Sequence, residues 1–221
     1  MISSRNYLTL FDLDRTIFSI NSGNILVQQA YKHRLISTKE FLKAIYLGIS
    51  YRLRIREPMT ILLEMARWMK GISGNDLQIL ANQIVDKYLI DKIRPDIYRE
   101  IQMHKEKGAH IGILSAALPI ICQPVARQLK IDAVICSEME IVNGKYSGNV
   151  MGKLCYGENK RIRLQDYCAD HGYQLKDTYY YADSYSDRSV LEAVGYPFCI
   201  KPDIRLRKLA KKNNWQIPEW S

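Results

Sequence analysis

In the stretch 7-YLTLFDLDRTIFS-19, the carboxylates Asp12 and Asp14 follow directly on an apolar run. Two acids two residues apart at the end of an extended segment face the same side, where they repel unless a cation or a shared proton offsets their charge. Taken alone, such a pair also serves as a solvated strand end or as two helix caps. A second acidic pair shifts the balance, because 181-YADSYSD-187 places Asp183 and Asp187 four positions apart behind another apolar run. Oxygen donors gathered in this way suit a magnesium ion better than zinc.

Two other segments fit an anion held beside that metal. The run 111-IGILSAA-117 ends with the hydroxyl of Ser115, and the backbone N–H groups after it read as the opening of a helix, where phosphate binds readily. The segment 157-GENKRIRL-164 starts another helix and carries Lys160, an ammonium for the same anion, with Lys153 as its rival. Taken alone, a serine in that place is more often a plain helix cap, and a lysine there is usually just a solvated side chain.

Bringing these residues together requires a scaffold. Short apolar runs without helical period cover Tyr7 to Phe11, Ala109 to Leu114, Ala133 to Ser137, Thr178 to Ala182 and Pro197 to Ile200. Amphipathic stretches lie between and after them, over Asp96 to Lys107, Pro119 to Leu129, Glu158 to His171, Arg188 to Val194 and Ile204 to Asn213. The alternation predicts an α/β fold with a parallel sheet, whose ligands gather outside the carboxyl ends of the strands. From Ile25 to Asp91 the pattern is helical with almost no strand, which predicts an inserted helical subdomain. Its pieces are Ile25 to His33, Thr38 to Arg54, Met59 to Met69 and Gly74 to Tyr88. Ser137 to Met151 alternates around Asn143-Gly144 and predicts a β-hairpin.

The 221 residues, 47% of them hydrophobic, suffice for a sizeable core. No stretch of eighteen uncharged apolar residues occurs and MISSRNY lacks the pattern of a secretory signal, so a cytoplasmic location is expected. Cys122, Cys136, Cys155, Cys168 and Cys199 have no metal-ligand spacing and read as ordinary buried or half-buried thiols. The net charge of +9 suits nucleic acid, an anionic membrane or an acidic small substrate. The basic residues are dispersed and no nucleic-acid motif interleaves them with aromatics, so no nucleic-acid partner is expected. The segment 41-FLKAIYLGISYRLRIR-56 is amphipathic and basic, with Lys43, Arg52, Arg54 and Arg56 at polar positions. It reads as a solvated face, as a grip on a highly charged substrate, or as a weak contact with an anionic membrane surface. Oligomeric state leaves no mark in the sequence.

The acidic motif Asp12-Leu13-Asp14-Arg15-Thr16, then Ser115, Lys160 and the Asp183/Asp187 pair, occur in that order over nearly the whole chain. This arrangement resembles the haloacid dehalogenase superfamily of phosphohydrolases. The helical insertion and the segment 195-GYPFCIKPDIRLRKLAKKNNW-215 resemble its phosphoserine phosphatase-like branch. The resemblance implies a Rossmann-like catalytic core over residues 1–18 and 93–221 and an inserted helical cap of C1 type over 19–92. It favours Lys160, twenty-three positions before Asp183, over Lys153.

The activity it implies is magnesium-dependent hydrolysis of a small phosphate ester. Asp12 would be the nucleophile that forms an aspartyl-phosphate, and Asp14 the general acid and base. Thr16, Ser115, the N–H of Ala116 and Lys160 would hold the phosphoryl oxygens. Asp12, Asp183 and the carbonyl of Asp14 would hold magnesium, with Asp187 orienting metal-bound water or Lys160. A phosphotransferase or a lipid-phosphate phosphatase would use the same residues. Relatives that hydrolyse phosphoserine carry a glutamate nine positions after the nucleophile, to read an ammonium group; Asn21 stands there and cannot supply that charge. Asn21, Ser22 and Asn24 are the expected contacts to the leaving group, or form only the hinge of the cap.

Overall fold

The computed structural model describes residues 7–53 and 55–220. Arg54, the side chain of Arg52 and residues 1–6, on which the reading of the N-terminus rests, lie outside them. The chain opens with strand β1 (Leu8–Phe11) and then runs through helices α1 (Ser22–Lys32), α2 (Thr38–Arg52), α3 (Pro58–Ala66) and α4 (Gly74–Ile84). It continues as α5 (Pro95–Glu106), β2 (His110–Ser115), α6 (Pro119–Leu129) and β3 (Ala133–Cys136). A hairpin follows, β4 (Glu138–Val142) with β5 (Lys145–Met151), and then α7 (Glu158–His171). β6 (Tyr179–Ala182), α8 (Arg188–Leu191), β7 (Tyr196–Cys199) and α9 (Ile204–Lys212) complete the order.

Five strands form one parallel sheet in the order β3-β2-β1-β6-β7. β1 lies at its centre and all four of its residues are buried, because helices cover both faces. That explains why it reads as a continuous apolar run. From β1 the chain builds the sheet first toward β3 and later toward β7, so a topological switch lies between β1 and β6. Asp12 follows β1 there and Asp183 follows β6. The Asp12 N–H donates to the Tyr181 carbonyl at 2.9 Å, which carries the pairing one residue past β1.

Helix boundaries differ from the sequence pattern where local bonding overrides it. α1 begins at Ser22 rather than Ile25 because the Asn21 side chain accepts the Asn24 N–H at 3.2 Å, a cap hidden by the polar and glycine residues around it. α3 stops at Ala66 and tightens into a turn over Arg67–Met69, and α4 widens after Ile84 into a turn over Val85–Leu89. α8 ends at Leu191, short of Val194. Ser115 is the last residue of β2, but α6 starts only at Pro119, so the N–H groups that follow the serine belong to a turn and not to a helix. Within that turn the Ser115 hydroxyl oxygen accepts the Ala117 N–H at 3.2 Å.

The helical segment leaves and rejoins the sheet at one place. Ser19 N–H donates to the Lys92 carbonyl and Arg94 N–H to the Ile17 carbonyl, each at 2.8 Å, and Phe18 bridges antiparallel to Ile93. The hairpin forms its own two-stranded sheet and ties down the loop between α3 and α4. Gly71 and Gly74 N–H groups donate to the Tyr146 and Gly144 carbonyls at 2.8 and 2.9 Å. Asn143 and Gly144 both have positive φ, as a tight hairpin turn demands. One apolar cluster runs from Phe11 and Ile113 in the sheet through to Leu77 and Ile84 in α4. Among the described residues no helix is long and apolar enough to cross a membrane, and the five cysteines are free and buried.

At Gly195, just before β7, a Cβ would stand 1.7 Å from the Lys176 carbonyl oxygen. Backbone cannot yield as a flexible side chain does. Gly195→Ala is therefore expected to cost about 3 kcal/mol, visible as a lower urea midpoint at unchanged slope.

Candidate active site

Beyond β1 the chain does not continue as strand. Leu13–Ile17 forms a turn in which Asp14 is extended and Arg15 takes a positive φ of 61°. The turn brings the Asp14 carboxylate beside the start of α1, where its Oδ1 accepts the Ser22 N–H at 2.7 Å. Burial raises the Asp14 pKa against the opposing effect of that bond.

Asp12, Asp183 and Asp187 are all buried, and each brings a carboxylate oxygen within 4.8 Å of the others. Lys160 enters from the first turn of α7, which follows Gly157, a residue with φ of 56°. Its Nζ donates to Asp12 Oδ1 at 2.8 Å and to Asp187 Oδ1 at 2.5 Å. Burial works against the ammonium, but Asp12 and Asp187 outweigh it and hold the Lys160 pKa well above the ordinary lysine value. Tyr180 also donates to Asp187 Oδ1, at 2.7 Å. Lys153 lies exposed at the surface, where its carbonyl accepts from Arg163. Of the two lysines, Lys160 is the one bonded to the acidic cluster.

One ammonium among three carboxylates leaves two negative charges over. Burial raises Asp12 to about 7 even with Lys160 attached, and the charge of Asp187 adds to the rise. Asp183 rises to about 8, first through burial and then through Asp12 and Asp187. These oxygen donors fit a hard divalent cation such as magnesium, whose charge matches the excess.

Thr16 is fully buried, and its Oγ1 has no hydrogen-bond partner among the described residues. Such a hydroxyl costs about 1–3 kcal/mol unless a ligand satisfies it. Ser115 is buried too, and Ala116 beside it is half-buried. Of the residues expected at the leaving group, Ser22 is buried against Asp14, Asn21 is the helix cap, and Asn24 is exposed.

The haloacid dehalogenase-like hydrolase family model matches residues 9–192, from β1 through α8. The chain belongs to this family. A probable phosphatase of Mycobacterium tuberculosis is 30% identical over 215 residues, which cover 96% of this chain and 74% of that protein. A histidinol-phosphatase of Neisseria meningitidis is 28% identical, with 95% of this chain and 97% of that protein covered. The solved structure of a phosphoserine phosphatase with an analogue of its phospho-aspartyl intermediate superposes with a TM-score of 0.70. It is 16% identical, over 93% of this chain and 91% of that one. This likeness establishes a shared fold.

In this haloacid dehalogenase-like chain several residues join the site without a motif to announce them. Tyr51, on the inner side of α2, donates to the Tyr156 hydroxyl at 3.4 Å. Burial raises its pKa, and the charges of Asp183 and Asp187 contribute. Arg94 donates to the Arg15 carbonyl at 3.2 Å, so the turn after Asp12 is braced by the returning chain. Apart from the site, His104 of α5 is buried against the sheet among Tyr7, Thr9 and Tyr181, with Tyr7 and Tyr181 hydroxyls each 2.9 Å from a ring nitrogen. Burial lowers its pKa to about 4 and keeps it neutral.

Proposed function

We propose that the protein is a magnesium-dependent phosphatase of small phosphate monoesters, acting in the cytoplasm through an aspartyl-phosphate. The observation that carries this reading is the Asp12–Asp183–Asp187 cluster pinned by Lys160 at the mouth of the sheet's switch point. The reading takes residues 1–18 and 93–221 as catalytic core and 19–92 as cap, and the adjacent chain crossings support that division. Asp12, Asp183 and the Asp14 carbonyl would hold magnesium, which supplies Lewis-acid polarisation of the phosphoryl oxygens and offsets the anionic charge.

The residues of the chain divide the remaining work. The Asp12 carboxylate attacks phosphorus in line; a P–O bond to Asp12 forms while the bond to the leaving alcohol breaks. Asp14, held by Ser22 and raised in pKa by burial, gives its proton to the departing oxygen. It later takes one from the water that cleaves the acyl phosphate. Lys160, the unpartnered Thr16 hydroxyl, Ser115 and the Ala116 N–H would hold the transferring oxygens. Asp187 fixes Lys160 through their direct bond.

The cap bears on the class of substrate. Asn21 is an amide and carries no charge to match an ammonium group, and its side-chain oxygen already caps α1. The relatives named phosphoserine phosphatase and histidinol-phosphatase support small phosphorylated metabolites as the class. The test is release of phosphate from p-nitrophenyl phosphate and from a panel of amino-acid, amino-alcohol and sugar phosphates, with magnesium and with a chelator. Turnover that survives the chelator, or none on any ester, would overturn the reading.

Folded pKa values near 7 and 8 at Asp12 and Asp183 exceed the ordinary carboxylate value. Between about pH 4 and 8 the metal-free folded state therefore holds more protons than the unfolded chain, and it loses stability as pH rises through that window. His104, lowered to about 4, has the opposite effect between about pH 4 and 6.5. The net fall should be clearest above pH 6.5. Magnesium binds the ionised carboxylates, so saturating metal is expected to raise Tm by about 5 °C at pH 8 and far less at pH 5, by scanning calorimetry.

A further inference from the structure

The outer face of α2 has no partner within the described residues. Leu42, Ile45, Tyr46, Ile49 and Leu53 are between 43% and 64% exposed, and Ile55 and Leu63 lie exposed nearby. At about 100° per residue the first five fall within one arc of roughly 100°, a continuous apolar stripe along the helix. Ala44, Leu47 and Ser50 occupy the other side and are buried against the rest of the fold. Exposed apolar side chains scattered singly need no explanation, but a stripe of this length marks an interaction surface.

The edges of the stripe indicate what covers it. Lys39 and Lys43 are exposed along one edge, and the helical position of Arg52 falls on the other. Arg56 beyond the helix end is held by Glu64. An apolar stripe with basic margins matches an interfacial helix, whose apolar side enters the headgroup boundary while its cations meet anionic lipid. A second copy of the chain is the poorer fit, because each copy carries a net charge of +9 and would set basic margin against basic margin.

We infer that the outer face of α2 docks the protein on an anionic bilayer surface. Tyr51 on the inner face of the same helix reaches Tyr156 near the acidic cluster, so the bound surface would lie directly above the roof of the site. This inference goes beyond the phosphatase reading and does not depend on it.

The test is co-sedimentation of the full chain with vesicles of phosphatidylcholine alone and of phosphatidylcholine containing phosphatidylglycerol. Binding is expected only to the anionic vesicles, and about tenfold weaker in high salt. The double variant Ile45→Ser with Ile49→Ser should bind at least about tenfold more weakly, and Lys39→Gln with Lys43→Gln should lose most of the salt dependence. Melting curves matching the unsubstituted protein show that both variants are folded. No binding to anionic vesicles at low salt, or undiminished binding by the Ile45/Ile49 variant, would overturn the inference. So would a dimer in sedimentation velocity that this variant splits, which would assign the stripe to a second copy.

Discussion

Asp12→Asn is expected to lower kcat by at least about 10⁴-fold while the protein stays folded. The amide keeps the shape of the carboxylate but offers no anionic oxygen to attack phosphorus, and no aspartyl-phosphate can form at that position. Structural damage would be a poor explanation for the loss, because the carboxylate is under strain where it stands. Burial raises its pKa, and only Lys160 opposes the repulsion from Asp187 and Asp14. Removing one of three crowded negative charges should leave the metal-free Tm at pH 8 unchanged or higher. Stopped turnover with an intact melting curve is the combined signature. Phosphatase activity in purified Asp12→Asn above about a thousandth of the original would assign the nucleophile elsewhere.

Lys160→Met should be as inactive and, unlike Asp12→Asn, much less stable. Methionine approximates the length of the lysine stem but removes the ammonium that bonds Asp12 and Asp187. Losing one partner of a buried ionic cluster strands the others, at about 3–5 kcal/mol. The loss should be largest above pH 8, where Asp12 and Asp183 are ionised, and should shrink as acid neutralises them. Urea denaturation at pH 5 and pH 8 checks the slope. Equal destabilisation at both values would mean that the lysine serves packing and not charge balance.

The parts of this site legible in the sequence are those announced by a short apolar run ending in a polar residue. Asp12, Ser115 and Asp183 sit at the ends of β1, β2 and β6, where the runs placed them, because a strand buried on both faces cannot hide its composition. Lys160 and Lys153 could not be separated by residue type; the resemblance favoured Lys160, and only the fold puts it between Asp12 and Asp187. Tyr51, Tyr180 and Arg94 carried no signal. One of fifteen tyrosines is indistinguishable from the rest until α2 folds over the sheet, and Arg94 matters only because the returning chain crosses beside Arg15. The start of α1 was missed for a local reason, since Asn21 caps a first turn that contains no apolar pattern to read.

The stitched crossing at Ser19 and Lys92 has a consequence for how such a protein diversifies. Because exit and re-entry are bonded neighbours, everything between them could be excised or exchanged by a graft spanning only about 5 Å. The sheet would keep Asp12, Lys160, Asp183 and Asp187 in place throughout. A replacement joined at this single seam would install a new lobe in one event, provided that it again offers Asp14 a donor in place of the Ser22 N–H and re-covers the apolar cluster now shared with α4.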